Sequence, residues 1–220
     1  GCLNANQLQN LCSNMERPNA ILLQPRIGDL IVRQPAGHGM LREFYSDEEV
    51  YRADCAAVWR SGWLFAGHSC EIGNPGQYFA LEVDSDSILV TRDETGQARA
   101  FHNVCRHRGS LICEKTEGQV KRLVCPYHRW TYDLDGQLFH APGMQEELDK
   151  SQLGLQSVHV REVAGLIFIS LAHKPSDFEV ANEMLETVAR PQGLRRAKVA
   201  KAVDYLVKAN WKLVWENNRE

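Results

Sequence analysis

Cys105-Arg106-His107-Arg108-Gly109-Ser110 and, farther along, Cys125-Pro126-Tyr127-His128-Arg129-Trp130 are the segments whose reading decides the fold of this chain. Together they give the pattern C-x-H-x17-C-x2-H. Each segment offers one thiolate and one imidazole, side chains that ligate transition metals. Two such segments brought together supply two sulfurs and two nitrogens, with one ligand of each kind from each loop.

Two kinds of metal site use that ligand set. In a Rieske [2Fe–2S] centre two Cys hold one iron and two His hold the other. Neutral imidazoles in place of two thiolates remove negative charge, so such a cluster accepts an electron more readily than an all-Cys one. The alternative is a Cys2His2 zinc site, which usually pairs Cys with Cys at C-x2-4-C and His with His at H-x3-5-H. Here each loop mixes the types, and a single residue separates Cys105 from His107. The spacing favours the iron–sulfur reading and a role in handling single electrons; iron and acid-labile sulfide analysis separates the two.

The bulk of the sequence narrows the rest. The chain has 220 residues, a formal net charge of −3, 44% hydrophobic and 24% charged residues, a globular balance able to bury a core. Charge this near neutrality argues against a protein that coats nucleic acid. No apolar run approaches the roughly 20 residues of a membrane helix; the greasiest stretch, Gly165 to Ala172, has strand length. Gly1-Cys2-Leu3-Asn4 lacks a basic segment followed by an apolar core, so it does not read as an intact secretory signal, and a cytoplasmic location is the expectation. Of seven cysteines, five (Cys2, Cys12, Cys55, Cys70 and Cys113) lie outside the two motifs. An odd remainder favours free thiols over a disulfide framework.

Along the chain, residues 1–45 show weak periodicity and carry Pro18, Pro25 and Pro35, which predicts an irregular arm. Ser46-Asp47-Glu48-Glu49 fits a capping box. It opens a helix over 46–62 that ends at Gly62 and is expected to pack on the following domain. Residues 63–175 change to short strands with turn punctuation. The predicted strands are Gln77–Val83, Ile88–Arg92, Ala98–Asn103, Leu123–Val124, Thr131–Asp133, Gln137–Phe139, Val158–Glu162 and Leu166–Leu171. The fold class expected is mostly β with flanking helices: a small antiparallel β domain with the ligand loops at one end. Over 176–220, a second capping box (Ser176 to Glu179) opens a helix running to Pro191. A basic turn (Gly193 to Lys198), a partly alternating strand-like stretch (199–209) and the start of a helix at Trp211 follow.

The two loops resemble those of the large subunit of Rieske non-haem iron oxygenases. Phe101-His102-Asn103-Val104 before the first loop fits as well. The run Asn210-Trp211-Lys212-Leu213-Val214-Trp215-Glu216-Asn217-Asn218-Arg219-Glu220 is similar to the segment that opens that family's catalytic domain. The resemblance spans about residues 44–220 and lies nearest the branch acting on quaternary ammonium compounds: glycine betaine, choline and carnitine oxygenases. It implies a Rieske domain at 63–175 and, at 176–220, a linker helix and the truncated start of an α+β catalytic domain.

The same resemblance implies the rest of the electron circuit. Cys105, His107, Cys125 and His128 hold the [2Fe–2S] cluster, a NAD(P)H-dependent flavin/iron–sulfur reductase feeds it, and a mononuclear Fe(II) site in the full-length protein receives the electrons. There they serve O2-dependent N-demethylation or hydroxylation of a small molecule such as glycine betaine. The assembly implied is a homo-oligomer, often a trimer, in which Glu220 matches the acidic bridge from one subunit's cluster to its neighbour's iron; at a chain end the plainer reading is a solvated carboxylate. Respiratory Rieske proteins carry an extra Cys in each loop; here Ser110 and Tyr127 stand in those places, which fits the oxygenase class and a potential low in the Rieske range. No two-His-one-carboxylate triad is visible, so the chain alone is expected to be inactive as an oxygenase. The remaining alternative is a free-standing Rieske ferredoxin, against which the Trp-rich tail argues.

Other residues near the loops have plainer readings. Arg106, Arg108 and Arg129 could steer an acidic reductase, although ion pairs that fix the loops are the simpler expectation. Tyr127 and Trp130 read as shielding aromatics, and His102 as a core histidine rather than a ligand.

Overall fold

The computed structural model describes residues 25–145 and 149–218. It divides into two compact units, one made of the described residues up to Ala57 and from Val207 on, the other of Val58–Leu206.

The larger unit is the β domain. Its strands are β1 (Leu64–His68), β2 (Gln77–Val83), β3 (Asp86–Arg92), β4 (Ala98–His102), β5 (Glu117–Gln119), β6 (Leu123–Val124), β7 (Thr131–Tyr132), β8 (Leu138–His140), β9 (Ser157–Val163) and β10 (Leu166–Ser170). Seven form one antiparallel sheet in the order β1-β10-β9-β4-β3-β2-β5, and β6-β7-β8 form a second, smaller one. The eight predicted strands are all present to within about two residues at either end; β1 and β5 were not among them. β5 reads Glu117-Gly118-Gln119, exposed throughout, so it carries no apolar signal and exists only by pairing with β2.

Alternation along the central strands builds two cores, since successive side chains point to opposite faces. Tyr78, Leu89 and Phe101 join Leu123, Trp130, Tyr132, Leu134, Leu138 and the two motif cysteines on one side. Phe79, Ile88, Val90 and Ala100 join Ile72, Val158, Ile167 and Ile169 on the other. The small sheet thus caps one face of the large sheet, and the motif cysteines sit within that first core. The β7–β8 turn seats Gly136 at φ 89, where a Cβ would lie 2.4 Å from the Phe101 ring, so only glycine fits this close approach.

Helix α4 (Glu179–Gln192) lies on the β9–β10 side, where Phe178 and Ala189 meet Val163 and Ala164. The expected capping box does not form: Phe178 is the N-cap and lends no side-chain bond, while Asp177 accepts from the Glu179 N–H at 3.0 Å. Pro191 does not end the helix either; Gly193, left-handed at φ 66, does. The strand-like stretch 199–209 forms no strand, because Val203, Tyr205 and Leu206 find no sheet edge among the described residues and stay exposed.

In the smaller unit the expectation of an irregular arm needs correction. Pro25–Arg33 is a helix, α1, which buries Ile27 and Leu30; Pro at the first helical position is compatible with helix because its missing N–H is an orphan there in any case. Residues 1–24 lie outside the described residues. Two short helices follow, α2 (Glu43–Ser46) and α3 (Glu48–Asp54). Asp47, not Ser46, caps α3 by accepting from Glu49 N–H at 2.8 Å. Beyond Asp54 the chain widens into a π-helical turn, Cys55–Trp59. The helix expected at Trp211 is α5 (Trp211–Asn217), capped by Asn210. Lys212 pairs with Asp54, and the Tyr45 hydroxyl donates to Glu216 at 3.0 Å, so α5 returns to the N-terminal helices.

Candidate metal centre

The two ligand loops have the same backbone. Val104 bridges Leu111 as Val124 pairs with Thr131. Cys105 N–H donates to Ser110 O at 2.8 Å, and Cys125 N–H to Trp130 O at 2.9 Å. Gly109 N–H returns to Cys105 O at 3.0 Å, and Arg129 N–H to Cys125 O at 3.1 Å. Both of these returning residues are left-handed, Gly109 at φ 72 and Arg129 at φ 63. Each loop is therefore a closed knuckle on a two-strand stem, with its Cys at the start.

The knuckles bring all four motif residues together. Cys105 and Cys125 are each 2% exposed, on the core side. The imidazoles of His107 and His128 lie farther out, ring centroids 4.7 Å apart and nearly edge to face at 73°. Trp130 stacks on His107 at 4.9 Å with the planes 6° from parallel, and Tyr127 covers His128 at 3.8 Å.

The electrostatics follow from this layering. Burial pushes the Cys105 thiol up; the Tyr132 hydroxyl and the His107 backbone N–H work against the shift, and the neighbouring Cys125 adds to it. Burial, and then the nearness of His128 and Arg108, push His107 down, toward the neutral imidazole that ligates a metal. Tyr132 is pushed up by burial and by Cys105, so its phenol keeps its proton. It meets the Cys105 sulfur at 3.3 Å and lies 3.1 Å from the Arg106 N–H.

The two sulfurs lie on the inside and the two imidazoles on the outside. His128 Nδ1 is buried with no hydrogen-bond partner. A buried polar atom in that condition calls for an explanation, and a metal that takes the nitrogen lone pair supplies one.

Sequence reading missed part of the support. Asn103, 1% exposed, accepts from Cys113 N–H at 2.9 Å and donates to Cys113 O at 2.8 Å. It thereby fixes the return of the first loop. Its one signal was a polar residue at the end of an apolar strand. The expected ion pairs of Arg106, Arg108 and Arg129 do not form among the described residues; all three side chains are exposed. His102 lies 3.7 Å from Asp86, away from the ligand set. Glu220 falls outside the described residues.

Residues 62–162 match the Rieske [2Fe-2S] domain family. A Rieske domain holds a [2Fe–2S] cluster. The chain is 39% identical over 193 residues to the glycine betaine monooxygenase oxygenase subunit of Chromohalobacter salexigens, a match covering 87% of this chain and 43% of the relative. It is 31% identical to the carnitine monooxygenase oxygenase subunit of Escherichia coli, over 80% of this chain and 48% of that one. Among solved structures it is similar to a quaternary ammonium Rieske monooxygenase whose structure bears on carnitine oxidation and inter-subunit electron transfer. That match has a TM-score of 0.74 at 28% identity and covers 80% of this chain and 49% of the other. The chain belongs to the Rieske oxygenase family and spans less than half the length of these relatives.

Proposed function

We propose that this chain is the electron-receiving part of a Rieske oxygenase large subunit, with Cys105 and Cys125 holding one iron and His107 and His128 the other. The observation that carries this reading is the pairing of the two buried sulfurs inside and the two imidazoles outside, with His128 Nδ1 left without a partner. The cluster supplies storage of one electron at a time. The chain's own residues do the rest. The two knuckles fix the ligand directions, Trp130 and Tyr127 shield the imidazoles, and the Tyr132 hydroxyl donates to a Cys105 thiolate. Arg106, Arg108 and Arg129, which have no ion-pair partner among the described residues, form a basic rim that speeds encounter with an acidic NAD(P)H-dependent reductase.

In the full-length protein, electron delivery runs across a subunit boundary, which the inter-subunit electron transfer of a similar monooxygenase supports; the mononuclear iron, the trimer and the Glu220 bridge rest on the family resemblance. The supported chemistry is O2-dependent N-demethylation or hydroxylation of a quaternary ammonium compound such as glycine betaine. Similarity that runs well beyond the Rieske domain favours this over a free-standing ferredoxin. The five described cysteines are all unpaired, in keeping with a reducing, cytoplasmic setting. No helix among the described residues is long and apolar enough to cross a membrane. The test is paramagnetic resonance of the dithionite-reduced chain, with iron and acid-labile sulfide assays. A Rieske spectrum with about two irons per chain is expected, and a silent sample that binds zinc sinks the proposal. Proof of the oxygenase role needs the longer protein: product from glycine betaine that depends on reductase and O2.

A further inference from the structure

The basic turn Gly193 to Lys198 plays no part in the metal centre. It closes over the far end of the large sheet, where β3 ends and β4 begins; the other end of β4 leads through Asn103 into the first ligand knuckle. The His68 imidazole meets Leu194 O at 2.9 Å and holds the turn there. Between turn and sheet lies a cleft of about 560 Å³, lined by Ser69, Arg92, Glu162, Arg195, Arg196 and Lys198, among others. That volume is within the usual range for small-molecule sites.

We propose that this cleft binds a small ligand bearing a phosphate group. Its floor is a fixed cation. The Arg92 side chain is 9% exposed, with Nε donating to Ile72 O at 2.8 Å and Nη1 to Gly96 O at 3.1 Å and Glu162 at 2.7 Å. These bonds set the guanidinium plane and leave Nη2 with no protein acceptor among the described residues. A guanidinium held this way is prepared to meet an oxyanion at little entropic cost. Arg195 is paired with Glu186 at 2.8 Å, whereas Arg196 and Lys198 have no ion-pair partner among the described residues and are exposed. Glu162 is the only carboxylate in the lining and is already spent on Arg92, so the cleft keeps an excess of positive charge. The Ser69 side chain adds a donor. Three cations from two elements, converging on a cleft that already neutralises its one acid, match the charge and the tetrahedral oxygens of a phosphate. This site is independent of the oxygenase reading.

The test is calorimetric titration of the 220-residue chain with inorganic pyrophosphate and, separately, with ADP, at constant ionic strength. Saturable binding is expected, weakened at least tenfold in Arg196→Ser/Lys198→Ser. These substitutions lie on an exposed turn and should leave the fold intact. Lys115→Ser, an exposed cation elsewhere, should bind as the parent does. Tighter binding of ADP than of pyrophosphate supports the site and marks an organic phosphate as its ligand; equal binding supports it with the phosphate groups alone recognised. The proposal is overturned by three results: no saturable binding, equal binding of sulfate at the same ionic strength, or equal loss in Lys115→Ser. A polyglutamate peptide that binds where pyrophosphate does not also overturns it, in favour of a protein-docking surface.

Discussion

The two ligand knuckles share a backbone and differ in what holds them. Residues 104–111 and 124–131 repeat the same bridge and the same two hydrogen bonds. Ser110 lies half-buried at the surface, while its counterpart Trp130 is 3% exposed and stacks on His107. The first knuckle is fixed from outside itself, by Asn103 and by the Tyr132 hydroxyl. The second is fixed from within, by its own Trp130 in the core. One backbone solution is thus supported in two ways, one polar and one apolar. The left-handed position tells the same story: Gly109 fills it freely in one loop, and Arg129 fills it at some conformational cost in the other.

The largest effect expected comes from the ligands. Cys125→Ser should abolish cluster binding, read as loss of iron, sulfide and resonance signal. His128→Cys, if the cluster is retained, should lower the potential by about 100 mV or more, because another anionic ligand disfavours the added electron; an unchanged potential would count against the assignment. Next, Trp130→Ala should cost about 3 kcal/mol in denaturant unfolding, while Ser110→Ala at the matching position stays within about 0.5 kcal/mol. Equal losses would break the contrast between the loops.

At the far end of β4, Asp93 gives a control unrelated to metal. Burial pushes its carboxyl up, but bonds from Thr95, Arg99 and Gln97 outweigh this and hold it below the usual carboxylate value. Its contribution is in place above about pH 4 and falls away as the pH drops through the lowered folded value. Asp93→Asn should therefore destabilise the chain by about 1–2 kcal/mol at pH 7 and remove that acid-dependent part, followed by unfolding at pH 7 and pH 3.

A smaller effect should come from Tyr132→Phe. The hydroxyl stabilises the more negative, reduced centre, so its loss should lower the potential by about 20–65 mV, the equivalent of one ordinary hydrogen bond. Smallest of all, Gly109→Ala has room for its Cβ but retains the left-handed strain. A loss of about 1 kcal/mol is expected, against a gain of up to about 1 kcal/mol for Arg129→Gly.

Most strands were legible because alternating apolar residues that pack on both sheet faces leave a local signal, as in Gln77–Val83. β5 was not, since an exposed Glu-Gly-Gln pairs only where β2 offers an edge. The strand signal at 199–209 misled for the converse reason: alternation without a partner strand makes no sheet. Capping was misread where Ser46 and Asp47 compete as N-cap residues: Ser46 is taken up by the preceding short helix, its hydroxyl donating to Arg42 O, and Asp47 is the residue left extended to cap. The arm carrying Pro25 hid a helix because proline at the first turn looks like a breaker out of context.

The sequence by itself determined the donor set proposed for the cluster, two Cys and two His in mixed pairs, because ligand chemistry resides in side-chain type and spacing. It also determined the antiparallel β character of the domain that carries them. Tertiary structure alone decided that the sulfurs lie inward and the imidazoles outward, that Tyr132 reaches a cysteine 27 residues away, and that a basic turn closes over Arg92. Each of those depends on strand register and on which sheet face is buried, and register is settled by contacts between residues far apart in the chain.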